Sequence, residues 1–288
     1  MVKRKTISVK DMMGEKVTFQ FPPERIISLV PSQSELIWEL GLQNQLVGIT
    51  KFCIHPKEMF SKVERVGGTK KVNLDKVIQL QPDLIIGNKE ENEKSDILNL
   101  KKYFPVWMSD IKNVWDAYQM IEEIGRIATR KVGAKKMVKQ IKREELKFRT
   151  EKADKNLIAC AYFIWNNPYM VCGKNNFINT MLLGCGFKNV FAMKKYSRGH
   201  FQNHNTRYPE ISEAQLKLAN PKLILLSSEP FPFKEKHIQE IKLICPDAVV
   251  KIVDGEMFSW YGSRLKYSFQ YFKRLLNDPE IIQLHDKS

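Results

Sequence analysis

Apolar positions along the chain follow two rhythms. Between about Ile111 and Thr150 they recur every three or four residues, at Val114, Ala117, Met120, Ile121, Ile124, Ile127 and Ala128, then at Met137, Val138 and Ile141. That is the spacing of one helix face, and it predicts amphipathic helix throughout the stretch. Gly133, just after Thr129-Arg130-Lys131, predicts a break near 131–133. Two helices are therefore expected, the second of roughly 18 residues and about 27 Å long.

Elsewhere the apolar residues come in short runs of strand length bounded by turn residues. Thr6–Val9 and Lys16–Phe21 read as a strand pair around Met13-Gly14, stopped by Pro22-Pro23. Arg25–Val30 is a strand; Pro31–Ser34 supplies a turn and helix cap before a helix over Glu35–Gly41. Leu46–Thr50, Asp83–Gly87, Pro105–Met108 and Leu157–Ile164 are further strands, with Met170–Cys172 extended. Short helices are expected from Asn73-Leu74-Asp75 to Gln81-Pro82 and from Asn175-Asn176-Phe177 to Leu183, the latter closed by Gly184-Cys185-Gly186.

The two sides of the helical stretch repeat each other. Asp75–Glu90 and Ala214–Glu229 share the order helix, proline, apolar strand, polar turn, acid, at a constant offset of 139 residues. A block repeated once per half predicts two similarly folded lobes, not a solenoid. The expected organisation is an α/β lobe over 1–110, a helical spine over 111–152 and a second α/β lobe over 153–288, with mainly parallel sheets and a ligand cleft between the lobes. Ligands of such sheets bind beyond the carboxyl ends of the strands. The polar and aromatic clusters fall there: Pro31–Ser34, Lys51–His55, Asn88–Asn92, Trp165–Tyr169, Ser227–Phe233 and Asp254–Arg264.

Composition narrows the function classes. The 288 residues, 43% of them hydrophobic, suffice for one large or two medium domains. No run approaches the length of a spanning helix. The basic N-terminus lacks the apolar stretch of a secretory signal, so the expectation is either a chain that is not exported or a sequence that starts after a removed segment. Net charge is +15, and between Arg126 and Lys155 twelve Lys or Arg stand against four acids. With no zinc finger, basic zipper or RNA-recognition pattern beside it, this reads as a solvated face and not a nucleic-acid footprint. Cys53, Cys160, Cys172, Cys185 and Cys245 are odd in number and lack CxxC spacing, as small buried residues in a reducing compartment would be.

Candidate chemistry sits in the loops. Ser227–Phe233 and Val253–Leu265 bring acids, aromatic rings and an arginine together, a combination suited to a flat or bulky ligand. Phe231, Phe233 and Phe258 are expected in the core, while Trp260, Tyr261 and Tyr208 stand evenly between core and ligand. Glu90, Glu91, Glu229, Asp254 and Glu256 are possible acid–base groups, but no nucleophile elbow, phosphate loop, HExxH or dinucleotide fingerprint gives them a reaction. His200 and His204 have four-residue spacing in a loop where helix is not expected, and no metal site is assigned.

Arg25–Leu36, Val47–Thr50, Val66-Gly67-Gly68, Asn73-Leu74 and Leu80–Ile85, in that order, resemble the substrate-binding proteins of ABC importers for cobalamin and iron-siderophore complexes. The resemblance covers nearly the whole chain. It implies two α/β lobes joined by one long backbone helix, a monomer with a metal chelate held in the cleft, no catalysis and no cofactor. The ligand would be a corrinoid, a haem-like tetrapyrrole or a ferric siderophore. Phe52 stands where cobalamin binders carry an aromatic contact, and Tyr169 or Met170, with Tyr208, near two further ones; Thr69 takes the place of another ring. With the loop chemistry, the candidate contacts are Phe52, His55, Lys89, Glu90, Trp165, Tyr169, Arg207, Tyr208, Glu229, Trp260, Tyr261 and Arg264.

The same resemblance implies docking on the importer's membrane subunits through one acid per lobe, Asp75 and Glu213, the latter beside the aligned Ala214. It places the protein in the periplasm or cell envelope. Without a visible signal peptide a cytosolic sensor or carrier of the same ligand is the alternative, and an enzyme using the cleft acids a third.

Overall fold

The computed structural model describes residues 4–151, 156–192 and 207–286. The chain divides into two compact units, Met1–Lys142 with Trp260–Leu265, and Arg143–Ser259 with Lys266–Ser288.

The first unit opens on an antiparallel pair, β1 (Lys5–Lys10) and β2 (Lys16–Phe21), with Lys10 opposite Lys16. Asp11 holds the turn: its carboxylate accepts from the amides of Met13 (2.9 Å), Glu15 (2.8 Å) and Met108 (3.3 Å). There follow β3 (Ile26–Ser28), α1 (Pro31–Glu39), β4 (Leu46–Ile49), α2 (Lys57–Lys62), β5 (Glu64–Arg65), α3 (Leu74–Leu80), β6 (Leu84–Asn88), α4 (Lys94–Leu100), β7 (Val106–Ser109) and α5 (Val114–Ile127). The five strands after the hairpin form one parallel sheet in the order β5-β4-β3-β6-β7. β3 and β6 are buried at every position, which is why they read as unbroken apolar runs and do not alternate. Ile27, Leu29, Val66, Ile85, Val106 and Met108 join in the core beside them.

α1 starts at Pro31, four residues ahead of the helix expected at Glu35. Pro at the first helical position loses only an N–H that would have had no partner, so what read as a turn is the helix's opening turn. α2 and α4, of six and seven residues, are too short for a periodicity to show.

α6 (Lys131–Glu151) carries the division between the units. The break expected at 131–133 lies at 128–130 instead. Thr129 takes a left-handed conformation (φ 61°), and the Arg130 side chain bonds the carbonyls of Leu40 (3.1 Å) and Gly41 (2.9 Å), which fixes the turn. Gly133 lies inside α6, which at 21 residues is about 31 Å long. Gly125 is the glycine this corner requires: a Cβ there would stand 2.3 Å from that of Ala134 on α6.

The second unit continues with β8 (Ile158–Trp165), β9 (Tyr169–Val171), α7 (Phe177–Cys185), β10 (Phe187–Asn189), β11 (Glu210–Ile211), α8 (Glu213–Ala219), β12 (Leu223–Ser227), α9 (Glu235–Ile244), β13 (Val249–Val253), α10 (Gly255–Ser259), α11 (Leu265–Leu276) and α12 (Pro279–Asp286). Its sheet runs β11-β9-β8-β12-β13. β12 is parallel to β8 and β13, and β10 is parallel to the start of β8. The mainly parallel expectation needs one amendment, since β9 and β11 run antiparallel along the end of β8. Phe163, Val171, Leu216, Ile224, Leu226 and Ile241 belong to its core.

The repeat is visible in the backbone. Asn73 and Ser212, 139 residues apart, cap α3 and α8 by accepting from the amides of Lys76 and Gln215. Gln81 and Asn220 end them at the same offset, both left-handed, and β6 and β12 follow at that offset too.

Candidate functional site

In the first unit the carboxyl ends of β3, β4, β6 and β7 carry a buried polar scaffold. Ser109 Oγ accepts from Gln33 Nε2 (2.5 Å) and Asn88 Nδ2 (3.0 Å) and donates to the Gly87 carbonyl (3.1 Å). Asn92 bonds the Asn88 amide (2.8 Å) and the Leu29 and Thr69 carbonyls (3.0 and 3.2 Å). Ser28, Ser34, Thr50 and Cys53 form a neighbouring chain of hydroxyls and a thiol, and burial pushes the Cys53 thiol up. A strand order of this kind reverses direction between β3 and β6, and α/β sheets bind ligands at such a point.

The candidate residues of this unit are set on that scaffold. Phe52 is half exposed after β4, with Lys51 Nζ 5.1 Å from its ring centroid. Lys89 is exposed and shares Asp110 with Lys112, each at 3.2 Å; Asp110's burial would raise its pKa, but the two ammonium groups outweigh it and hold the carboxyl below its ordinary value. Glu90's backbone is pinned from both sides, its amide by Asn88 Oδ1 (2.8 Å) and its carbonyl by Lys70 Nζ (2.6 Å).

His55, Trp260, Arg264 and Glu35 form one stacked group. The His55 ring stands edge-on to Trp260 at 5.9 Å, the Arg264 guanidinium lies 4.6 Å from the Trp260 ring, and it forks onto Glu35 at 2.6 and 3.1 Å. Burial raises Glu35's pKa, against the pull of Arg264. Trp260 and Tyr261 are each 5% exposed, so both rings belong to the interior of the first unit, and burial drives the Tyr261 phenol well up. Gly262 permits this segment to lie on α1, since a Cβ there would be 2.4 Å from the Ser32 carbonyl oxygen. Glu35 was not singled out from the sequence, where it and Glu39 are the two acids of α1.

In the second unit the candidate rings come together at one end of the sheet. Trp165, 40% exposed at the end of β8, meets Phe231 edge-on at 5.6 Å; Phe231 meets Phe233 at 4.8 Å and His237 at 5.3 Å, and Tyr169 meets Phe163 at 5.5 Å. Phe233 and Phe258 are buried, Phe231 only partly. Glu229 Oε1 accepts from Ser259 Oγ (2.5 Å), and its loop is tied by Ser227, which receives the Tyr162 hydroxyl proton at 3.1 Å. Arg207 and Tyr208 are half-buried beside β9, where the Arg207 carbonyl accepts from the Gly173 amide (2.7 Å) and Asn176 Nδ2 (2.8 Å). His200 and His204 lie outside the described residues. Among the described residues no cluster of His, Cys, Asp or Glu is placed to hold a metal ion, and no helix is long and apolar enough to cross a membrane.

Asp75 and Glu213, the latter one position before Asp75's counterpart Ala214, are each exposed in the opening turn of α3 or α8, where a carboxylate also suits the helix dipole.

Residues 26–243 match the model of the periplasmic binding protein family. The chain belongs to that family. It is similar to named binding proteins along most of its length. A vitamin B12-binding protein of Vibrio cholerae is 25% identical over 208 residues, 72% of this chain and 71% of that one. An ABC transporter substrate-binding lipoprotein of Bacillus subtilis is 32% identical over 200 residues, 65% of this chain and 61% of that one. Among solved structures, the periplasmic vitamin B12 binding protein of Vibrio cholerae superposes with a TM-score of 0.73 at 22% identity, covering 89% of this chain and 99% of that one. A periplasmic haem-binding protein from Pseudomonas aeruginosa gives 0.71 at 17% identity, covering 88% and 92%. These structural likenesses establish the two-domain α/β fold of periplasmic binding proteins.

Proposed function

We propose that this chain is a non-catalytic receptor of the cell envelope that binds a metal chelate, a corrinoid, haem-like tetrapyrrole or ferric siderophore, and hands it to an ABC importer. The observation that carries this reading is the group of rings at the carboxyl end of β8 and β12: Trp165, Tyr169 and Phe231 offer partly exposed aromatic surface held rigid by Phe163, Phe233 and His237. Rigid rings bury area against a flat macrocycle or a bulky chelate at little entropic cost. The charged Arg207 and Glu229 of the same unit supply polar contacts for the chelate's periphery. Family membership supports the same ligand class, as do the similar proteins that are named for binding vitamin B12 and haem.

Delivery is assigned to Asp75 and Glu213, one exposed carboxylate on the matching helix of each unit, meeting cations on the importer's membrane subunits. The receptor acts as a monomer. Glu229 is engaged by Ser259, and Glu256's amide is held by Asp254, which suits loop structure better than proton transfer. The test is gel filtration of the purified chain with cyanocobalamin, haemin or a ferric siderophore, followed by visible absorbance. One chelate should co-elute at a ratio near one to one. Co-elution of none, or consumption of a chelate by the wild type and not by Glu229→Gln, defeats the reading.

A further inference from the structure

The face of α6 within the first unit is strongly basic. Residues 131–142 hold Lys131, Lys135, Lys136, Lys139 and Lys142 and no carboxylate, and all five lysines are exposed. None of the five is in an ion pair among the described residues; the acids of α6 come later, at Glu144, Glu145 and Glu151. The adjoining exposed side of α5 carries Glu122, Glu123 and Arg126, of which the last two pair with each other.

This placement works against the helix. Partial positive charge gathers at a helix N-terminus, so anions are stabilising there and cations destabilising. α2, α3, α5, α8 and α9 each place an acid in the first turn; α6, like α1, α7 and α11, has none, and α6 begins on lysine. Lys131 thus costs the helix a little stability in isolation, and the other four lysines, beyond the first turn, add positive charge with no carboxylate among residues 131–142 to meet it.

The neighbouring side chains narrow the partner. Trp115 is 72% exposed with Lys142 Nζ 5.1 Å from its ring, and Val132 is 70% exposed on α6 itself. An exposed indole beside lysines matches the boundary between headgroups and acyl chains, where an amphipathic ring rests with one edge dry. All five cations are lysine, point charges on flexible stems, which fit a fluid array of phosphates; fixed readout of a base edge would favour the arginine fork. We propose that the 131–142 face of α6, with Trp115 beside it, docks on an anionic phospholipid bilayer. This surface is separate from the residues assigned to the chelate and does not depend on that assignment.

Sedimentation of the full chain with phosphatidylglycerol-containing and with pure phosphatidylcholine vesicles, at low and high ionic strength, tests this. Binding is expected only to the anionic vesicles, weakening as salt screens the charge. The variant K135E/K136E/K139E should bind at least about a hundredfold more weakly, since each cation near such a surface contributes on the order of 1 kcal/mol. Its melting temperature should stay close to that of the wild type, because all three side chains are exposed and outside any ion pair among the described residues. K57E/K236E/K242E, with the same change in net charge on other exposed lysines, should keep at least ten times more of the binding than the first variant. Trp115→Phe should abolish the blue shift of tryptophan emission on vesicle binding. Equal binding to both vesicle types, equal loss in the two triple variants, or tighter binding of duplex DNA than of anionic vesicles at the same ionic strength would overturn the proposal.

Discussion

Gln81 and Asn220 sit 139 positions apart and end their helices in the same left-handed conformation, φ 44°, ψ 60° and φ 44°, ψ 57°. Each is followed by proline and then by a fully buried strand, so one local device positions the central β6 and β12 of both units. Left-handed backbone is costly for a glutamine, less so for asparagine and least for glycine. Gln81→Gly should therefore stabilise the protein by about 0.5–1 kcal/mol, and Asn220→Gly by less. Urea midpoints measure both, and a loss for Gln81→Gly would mean that its side chain contributes more than its backbone strain.

Glu35 and Arg264 are a buried pair, with side chains 7% and 12% exposed. Removing one partner strands the other charge, so Arg264→Ala should cost about 3–5 kcal/mol, while the apolar double variant Glu35→Leu with Arg264→Met should cost much less. Because burial raises Glu35's pKa above its unfolded value, its contribution is full below the ordinary carboxylate range and declines as pH rises through the raised folded value. Unfolding midpoints of the wild type and the two variants across pH check the pair and the sign together.

Asp110 has the opposite linkage. Lys89 and Lys112 depress its pKa, so its contribution is present above the ordinary carboxylate range and is lost as pH falls through the lowered value. Asp110→Asn should flatten the acid limb of stability and leave the neutral plateau lower. An unchanged acid limb would show that the two lysines do not hold the carboxylate in solution.

Asp75→Arg and Glu213→Arg are expected to leave chelate affinity unchanged and to abolish uptake by cells that carry the native importer. The measurement is accumulation of labelled chelate beside equilibrium binding; loss of affinity in either variant would place that residue in ligand binding instead of docking.

Much of the architecture could be read from the chain because its signals are local. Strands buried on both faces appear as apolar runs, and the repeat of Asp75–Glu90 in Ala214–Glu229 marks two like units without any long-range information. What escaped reading was set by distant contacts. The break before α6 follows from Arg130 reaching the carbonyls of Leu40 and Gly41, not from Gly133. Trp260 and Tyr261 stand evenly between core and ligand until Gly262 lets their segment lie on α1, where both are buried. Short α2 and α4 lack the length for a periodic face.

The claim that matters most is that the rings beside β8 meet a chelate, and tryptophan emission reads it directly. Titration with cyanocobalamin, haemin and a ferric siderophore should give saturable quenching with one of them, reduced by at least about a third in Trp165→Phe and accompanied by weaker affinity in Tyr169→Ala. Of the tryptophans, Trp38, Trp107 and Trp260 are buried and Trp115 lies on α5, so the loss assigns the signal to Trp165. Unchanged emission with every chelate, or quenching indifferent to both substitutions, would contradict the account.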